Sequence, residues 1–226
     1  MKWNGLPVVI IGTSGISKEV KTIIDEINKL NYINQFKVEG FIAEKDEDVG
    51  KKILDSKIIA SDSQLDNFFL QYKEIGVIIP IGNPKIKKTI FDKLRKYPNV
   101  VYPNIISPTA KIMDPTTVRF GMGNIVCSGV VLTNEINIGN FNLINLNCTI
   151  GHNVGIKNYC VINPLTSISG GVKIFNEVLC GAGCLIKQGL TIKQSSVIGL
   201  GAFVVKDVEA NTIMVCKSSE QLIKRY

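Results

Sequence analysis

The chain has 226 residues, 45% of them hydrophobic and 20% charged, with 26 lysines and arginines against 19 acids and a net charge of +7. That suffices for a sizeable core in one large or two small domains, and it excludes a disordered chain. The basic excess is spread over both halves without a block, which argues against a nucleic-acid surface, and the single histidine, His152, excludes a three-histidine metal site within one chain.

Residues 1–106 alternate strand and helix patterns. Met1–Pro7 carries one lysine and no long apolar run, and no window approaches the roughly 20 apolar residues of a membrane span. The expectation is a cytoplasmic protein whose six cysteines are thiols. Val8–Ile11 reads as a buried parallel strand and Gly12-Thr13-Ser14-Gly15 as a tight turn. Ser17–Leu30 has helical spacing at Val20, Ile23, Ile24 and Ile27. Phe36–Ile42 is a second strand, Lys57–Ile59 a short third, Ser63–Tyr72 a helix and Val77–Ile79 a strand. After Gly82-Asn83-Pro84 comes an amphipathic helix, Lys85–Lys96, and Asn99–Tyr102 closes the sheet. Strands alternating with helices predict a parallel sheet with helices packed on it.

The second half, residues 107–226, obeys a period of six. Ile138, Ile144, Ile150, Ile156, Ile162, Ile168, Ile174, Cys180, Ile186, Ile192, Ile198 and Val204 form one series, which extends backward through Leu132 and Val126 to Phe120. Four residues after each comes a second series, most of it small or β-branched, Cys148, Val154, Cys160 and Thr166 among them; Asn142 interrupts it. The pattern predicts a parallel β-helix of hexapeptide repeats, three hexads to a coil, with both series pointing inward. Cys148, Cys160, Cys180 and Cys184 fall on inward positions as core filler, while Cys127 and Cys216 fall on neither.

Several segments point further: Gly12-Thr13-Ser14-Gly15, Gly40-Phe41-Ile42, Ile81-Gly82-Asn83-Pro84, Pro103–Ala110, Asn145-Leu146-Asn147, Ile150-Gly151-His152-Asn153, Asn163-Pro164, Ser169-Gly170-Gly171-Val172 and Gly199-Leu200-Gly201-Ala202. They resemble the left-handed β-helix acyltransferases. Over nearly its full length the chain is similar to the NeuD/PglD-type sugar acetyltransferases, in which a Rossmann-like domain precedes the helix. The resemblance implies a first domain that holds a sugar or nucleotide-sugar, a helix that binds acetyl-CoA, and a homotrimer with acetyl-CoA at the subunit seam. The implied reaction transfers acetyl to a sugar amine or hydroxyl, with no metal, nucleic acid or membrane involved.

An amine or hydroxyl attacking a thioester must lose a proton, and a neutral imidazole suits that role. His152 sits beside a turn and off both inward series, so it is the candidate general base. The residue eighteen further on, its neighbour on the next coil, is Gly170, whose N–H would face the developing oxyanion; the simpler reading of Gly170-Gly171 is a corner turn. The family often has an acid directly after the histidine, where this chain has Asn153. Glu135, eighteen residues before Asn153, is the expected substitute carboxylate for the imidazole, and Asn134 is an alternative orienting group. The resemblance also places Asn145 near the acceptor sugar and Ala182 and Leu200 on the acetyl-CoA path. It leaves Val161 where one relative has a coenzyme-binding histidine. Lys187, Lys193 and Lys206 are candidates for the coenzyme phosphates.

Gly12, Thr13, Ser14 and Gly15 open a helix whose N–H groups suit a phosphate or sugar. The third glycine of a dinucleotide fingerprint is missing, and Ala43-Glu44 stands where the family often has a nucleotide-binding Asp. These departures keep open a second reading, a catalytically lapsed sugar-binding or scaffolding protein. A γ-type carbonic anhydrase fails for lack of histidines, and a nucleotidyltransferase for the small size of the first domain.

Overall fold

The computed structural model describes residues 4–215, so Cys216 lies outside them. Its first half is a six-stranded sheet built from β1 (Leu6–Ile11), β2 (Phe36–Ala43), β3 (Lys52–Ile53), β4 (Ser56–Ser61), β5 (Ile75–Ile78) and β6 (Val100–Val101), in the order β3-β4-β2-β1-β5-β6. All pairings are parallel except β3 with β4, a short hairpin that the sequence reading did not anticipate. The order reverses at β1, so the loop after β1 opens at the crevice where such sheets take ligands. Helix α1 (Gly15–Leu30) covers one face, and α2 (Leu65–Phe69) and α3 (Pro84–Leu94) cover the other. Asn83 caps α3, its side-chain oxygen accepting from the N–H groups of Lys85 and Ile86 at 3.0 and 3.2 Å.

The second half is a parallel β-helix of two-residue strands in three flat faces. The first face runs from Ile105–Ile106 through Leu143–Ile144 to Ile213–Met214. The second runs from Lys111–Ile112 through Thr149–Ile150 to Phe203–Val204, and the third from Arg119–Phe120 through Gly155–Ile156 to Thr191–Ile192. Ile105–Ile106, read from the sequence as the end of the first domain, already pairs with Ile125–Val126 as the first rung of the helix. Ile144 lies on Ile162, Ile150 on Ile168 and Ile156 on Ile174, and the whole isoleucine series is buried in one continuous stack. In the first coil, by contrast, Ile106 pairs with Val126 and Ile112 with Leu132. That coil is longer, with its extra residues between Ile112 and Arg119, which is why the series ends at Phe120.

Every sixth residue from Gly123 to Gly201 has positive φ, and each of these residues turns a corner. Glycine takes this conformation without strain and Asn with little, whereas Glu135, Phe141, Tyr159 and Leu165 hold it at a cost of order 1 kcal/mol each. Asn142, the break in the small series, belongs to a stacked amide ladder. Asn104 Oδ1 accepts from Asn124 N–H at 2.8 Å, Asn124 Oδ1 from Asn142 N–H at 2.9 Å, and Asn142 Oδ1 from Cys160 N–H at 2.8 Å. These bonds satisfy corner N–H groups that the strands leave unpaired.

The two halves share cores. Val20, Ile23, Ile24 and Ile27 of α1 pack in one cluster with Ile105, Ile125, Leu143 and Val161, which project outward from the first face. Cys127, on neither inward series, is buried in this shared cluster. On the far side Phe91 of α3 packs on Phe141 with ring centroids 4.5 Å apart, and Phe141 stacks on Tyr159 at 5.6 Å. The first domain is thus seated on the helix over an apolar surface.

One residue in this region is out of keeping. Lys87 of α3 is 1% exposed, and among the described residues no acid pairs with it. Loss of hydration pulls its ammonium from an ordinary 10.5 down to about 7. The unfolded chain therefore binds the extra proton between about pH 7 and 10.5, so this residue's penalty is full below pH 7 and fades as pH rises. Lys87→Met is expected to stabilise the protein at pH 6–7 by about 1–3 kcal/mol and to remove the rise in stability above pH 7, measured by denaturant titration at several pH values.

Candidate active site

His152 follows the strand Thr149–Ile150 and stands exposed at the corner between the second and third faces. The preceding Gly151 sits tight against the next coil, where an added Cβ would lie 2.7 Å from the Gly170 nitrogen. The imidazole lies over Gly170, on which a Cβ would lie 2.5 Å from His152 Nε2. Gly171, not Gly170, is the left-handed corner residue, with φ of +69°. The corner thus explains only the second glycine; the first is required by the close approach of the ring. The N–H of Gly170 makes no hydrogen bond to other described residues, while the neighbouring Gly171 N–H is bound to the His152 carbonyl at 2.8 Å.

The other ring nitrogen is engaged. His152 Nδ1 is 2.8 Å from Asn153 Oδ1, and Asn153 Nδ2 donates to the Glu135 carboxylate. Asn153 and Glu135 occupy equivalent corner positions on successive coils, with φ of +59° and +56°. Glu135 was expected to meet the imidazole itself; it meets the amide of Asn153, because stacked corner residues face each other directly and the ring lies one residue to the side. Asn134 contributes only its backbone carbonyl, which accepts from Asn153 N–H at 3.1 Å. Beneath Glu135, Thr117 of the enlarged first-coil corner accepts the Glu135 N–H at 2.9 Å.

The remaining expected residues lie elsewhere. Asn145 follows Leu143–Ile144, Ala182 follows Leu179–Cys180 and Leu200 follows Val197–Ile198, so all three sit at the corner between the first and second faces. They line the opposite edge of the second face from His152 and Gly170. Asn145 Oδ1 accepts from Leu146 N–H at 2.8 Å, and Leu200 is exposed. In α1, which follows the Gly12–Gly15 loop, Glu19, Thr22 and Ile23 line a cleft of about 250 Å³ with Ser128 and Leu146 at this same edge. Gly12 has φ of +88° and donates to Ile42 O at 2.8 Å, and Ser14 Oγ is 3.4 Å from Ser17 Oγ. Neither α1 nor α3 has an acid in its first turn, but α1, unlike α3, has no side-chain cap, which leaves a site of positive potential at its N-terminus. Ala43 is buried at the end of β2 and Glu44 is exposed beside it.

Lys193 is paired with Glu209 at 2.7 Å, while Lys187 and Lys206 are exposed. Lys206 stands in the His152 column, two coils beyond Gly170. Burial pushes the Cys127 and Cys160 thiols up to about 12, so they are protonated and inert at neutral pH. Among the described residues no helix is long and apolar enough to cross a membrane.

Residues 7–94 match the model of the PglD N-terminal domain. Among solved structures, perosamine N-acetyltransferase from Caulobacter crescentus, as a histidine-to-asparagine variant in complex with CoA and GDP-perosamine, superposes with a TM-score of 0.83 at 23% identity, covering 93% of each chain. The acetyltransferase domain of PglB from Neisseria gonorrhoeae FA1090 gives 0.79 at 21% identity over 93% of this chain and 96% of that one. WeeI from Acinetobacter baumannii AYE gives 0.79 at 25% identity over 93% and 97%. No curated protein sequence matches the chain. The two-part architecture, an α/β domain on a parallel β-helix, is the fold these solved structures share with this chain.

Gly170→Ala is expected to displace the imidazole while leaving the fold intact, since Gly170 does not turn the corner. If the site is the one described, acetyl transfer falls by about 100-fold or more with little change in melting temperature, read by steady-state kinetics and thermal denaturation.

Proposed function

We propose that the chain is an acetyl-CoA-dependent acetyltransferase acting on an amine or hydroxyl of a nucleotide-activated sugar. The observation that carries the reading is the apposition of His152 Nε2 to Gly170 at an exposed corner. One nitrogen of the ring is held by Asn153, and the other faces a backbone whose N–H is uncommitted. The acceptor nitrogen or oxygen attacks the thioester carbonyl as its proton passes to Nε2. The carbonyl oxygen takes the negative charge and the Gly170 N–H stabilises it. Collapse of the tetrahedral intermediate re-forms the carbonyl and breaks the carbon–sulfur bond. The thiol leaves with the proton returned from the imidazolium, so the enzyme ends neutral and unmodified.

The nucleotide-sugar end of the reading rests on the α1 N-terminus, uncapped and without acids, and on the matched first domain. The perosamine N-acetyltransferase that superposes on this chain was crystallised with CoA and GDP-perosamine, which supports both substrate classes. Release of the CoA thiol from acetyl-CoA, measured with a panel of nucleotide-linked amino sugars, is expected to give turnover with at least one acceptor, and His152→Ala to reduce it by about 10³-fold. A lapsed binding protein would show no turnover with any acceptor.

The working unit in this reading is a homotrimer. The second face carries outward Leu185 and Phe203, 42% and 71% exposed, which a neighbouring chain would cover. Asn145 and the cleft walled by α1 stand at one edge of that face and His152 at the other. Packing second faces around a three-fold axis brings the His152 edge of one chain against the Asn145 edge of the next. Mixing an inactive His152→Ala chain with an inactive Asn145→Ala chain is therefore expected to restore about a quarter to a third of wild-type activity. Strict additivity of the two inactive proteins would overturn the shared site, and light scattering reads the trimer independently.

A further inference from the structure

We infer that Glu135 acts on His152 through Asn153, as a positioning residue that selects the imidazole tautomer, so that a neutral amide and a carboxylate one coil away together do the work of an acid beside the histidine. The inference rests on the reading of His152 as the base.

The geometry forces the assignment link by link. An ionised carboxylate can only accept hydrogen bonds, so the group of Asn153 that faces Glu135 is its NH₂. With Nδ2 committed to Glu135, the amide turns its Oδ1 toward the ring, 2.8 Å from Nδ1. An amide oxygen is also acceptor-only, so Nδ1 carries the hydrogen. The lone pair is then on Nε2, the nitrogen that lies over Gly170. Remove the carboxylate and the amide is free to rotate by half a turn. Its NH₂ then faces Nδ1, the lone pair moves to that nitrogen, and Nε2 becomes protonated and useless as a base.

The backbone holds this relay in place. Both residues are in the left-handed conformation at equivalent corner positions, so their side chains leave the helix in parallel, one coil apart. Thr117 Oγ1 fixes the backbone of Glu135 from below at 2.9 Å, and the Asn134 carbonyl fixes that of Asn153 at 3.1 Å. Asn is also among the side chains that tolerate positive φ best, which makes it a low-strain occupant of the corner beside the histidine.

The single histidine makes the test direct. With ¹⁵N-labelled histidine and no substrate, the full chain gives one imidazole to observe. The wild type is expected to show Nδ1–H with a lone pair on Nε2 above the pH at which the ring loses its proton. Glu135→Gly keeps the left-handed corner free of strain, so its melting temperature should not fall. Its imidazole should shift substantially to the Nε2–H form, and its kcat should drop about tenfold or more at unchanged KM for acetyl-CoA. Asn153→Asp should also lose activity, because two carboxylates then face each other. The double variant E135Q/N153D should recover most of it, since the relocated carboxylate accepts from Nδ1–H and from the new amide. An unchanged tautomer and kcat in Glu135→Gly, or a double variant no better than Asn153→Asp, would overturn the inference. Full turnover in His152→Ala would instead sink the reading of the base, while the tautomer measurement would still decide the relay.

Discussion

Each coil of the helix lies on the next so that a residue rests against the one eighteen places further along, and nearly everything else follows from that register. It puts isoleucine on isoleucine and so buries a core that no coil could form alone. It puts left-handed corners in columns, which lets Asn142 and its neighbours satisfy one another's backbones. It also puts Gly170 against His152 and Glu135 against Asn153, and the candidate chemistry is assembled from these contacts between coils.

Much of this was legible because the period is short and strict. A residue's neighbour on the next coil is found by counting eighteen along the chain, which picks out Gly170 for His152 and Glu135 for Asn153. What counting does not supply is direction. It says that Glu135 is near the histidine corner, but not that its carboxylate would stop at the amide of Asn153. Nor did it separate Gly170 from Gly171, which look alike in sequence; one is demanded by an imidazole and the other by positive φ. The length of the first coil escaped because an enlarged corner breaks the period without breaking the strand register.

The first domain was less legible, for a physical reason. Its helices are fixed by tertiary packing, as at α2, where a ten-residue pattern yields a five-residue helix after one turn of 3-10 helix. The hairpin of β3 and β4 rests on two residues per strand and leaves almost no periodic signal. Cys127 could not be understood from the β-helix pattern alone, because it is buried in the core that the two halves share. The shared core has a functional counterpart. It fixes α1 on the first face, so the cleft between α1 and the Ser128–Leu146 edge is set by packing.

The enlarged first coil has a wider meaning for how such a protein can change. Its additional residues are absorbed wholly within a corner, where Asp114 gathers the hydroxyls of Thr116 and Thr117, and the strands on either side remain paired. The three faces thus behave as a fixed scaffold and the corners as separate insertion points. A chain built on this plan can lengthen a corner beside His152 while the strands of the stack stay paired in register.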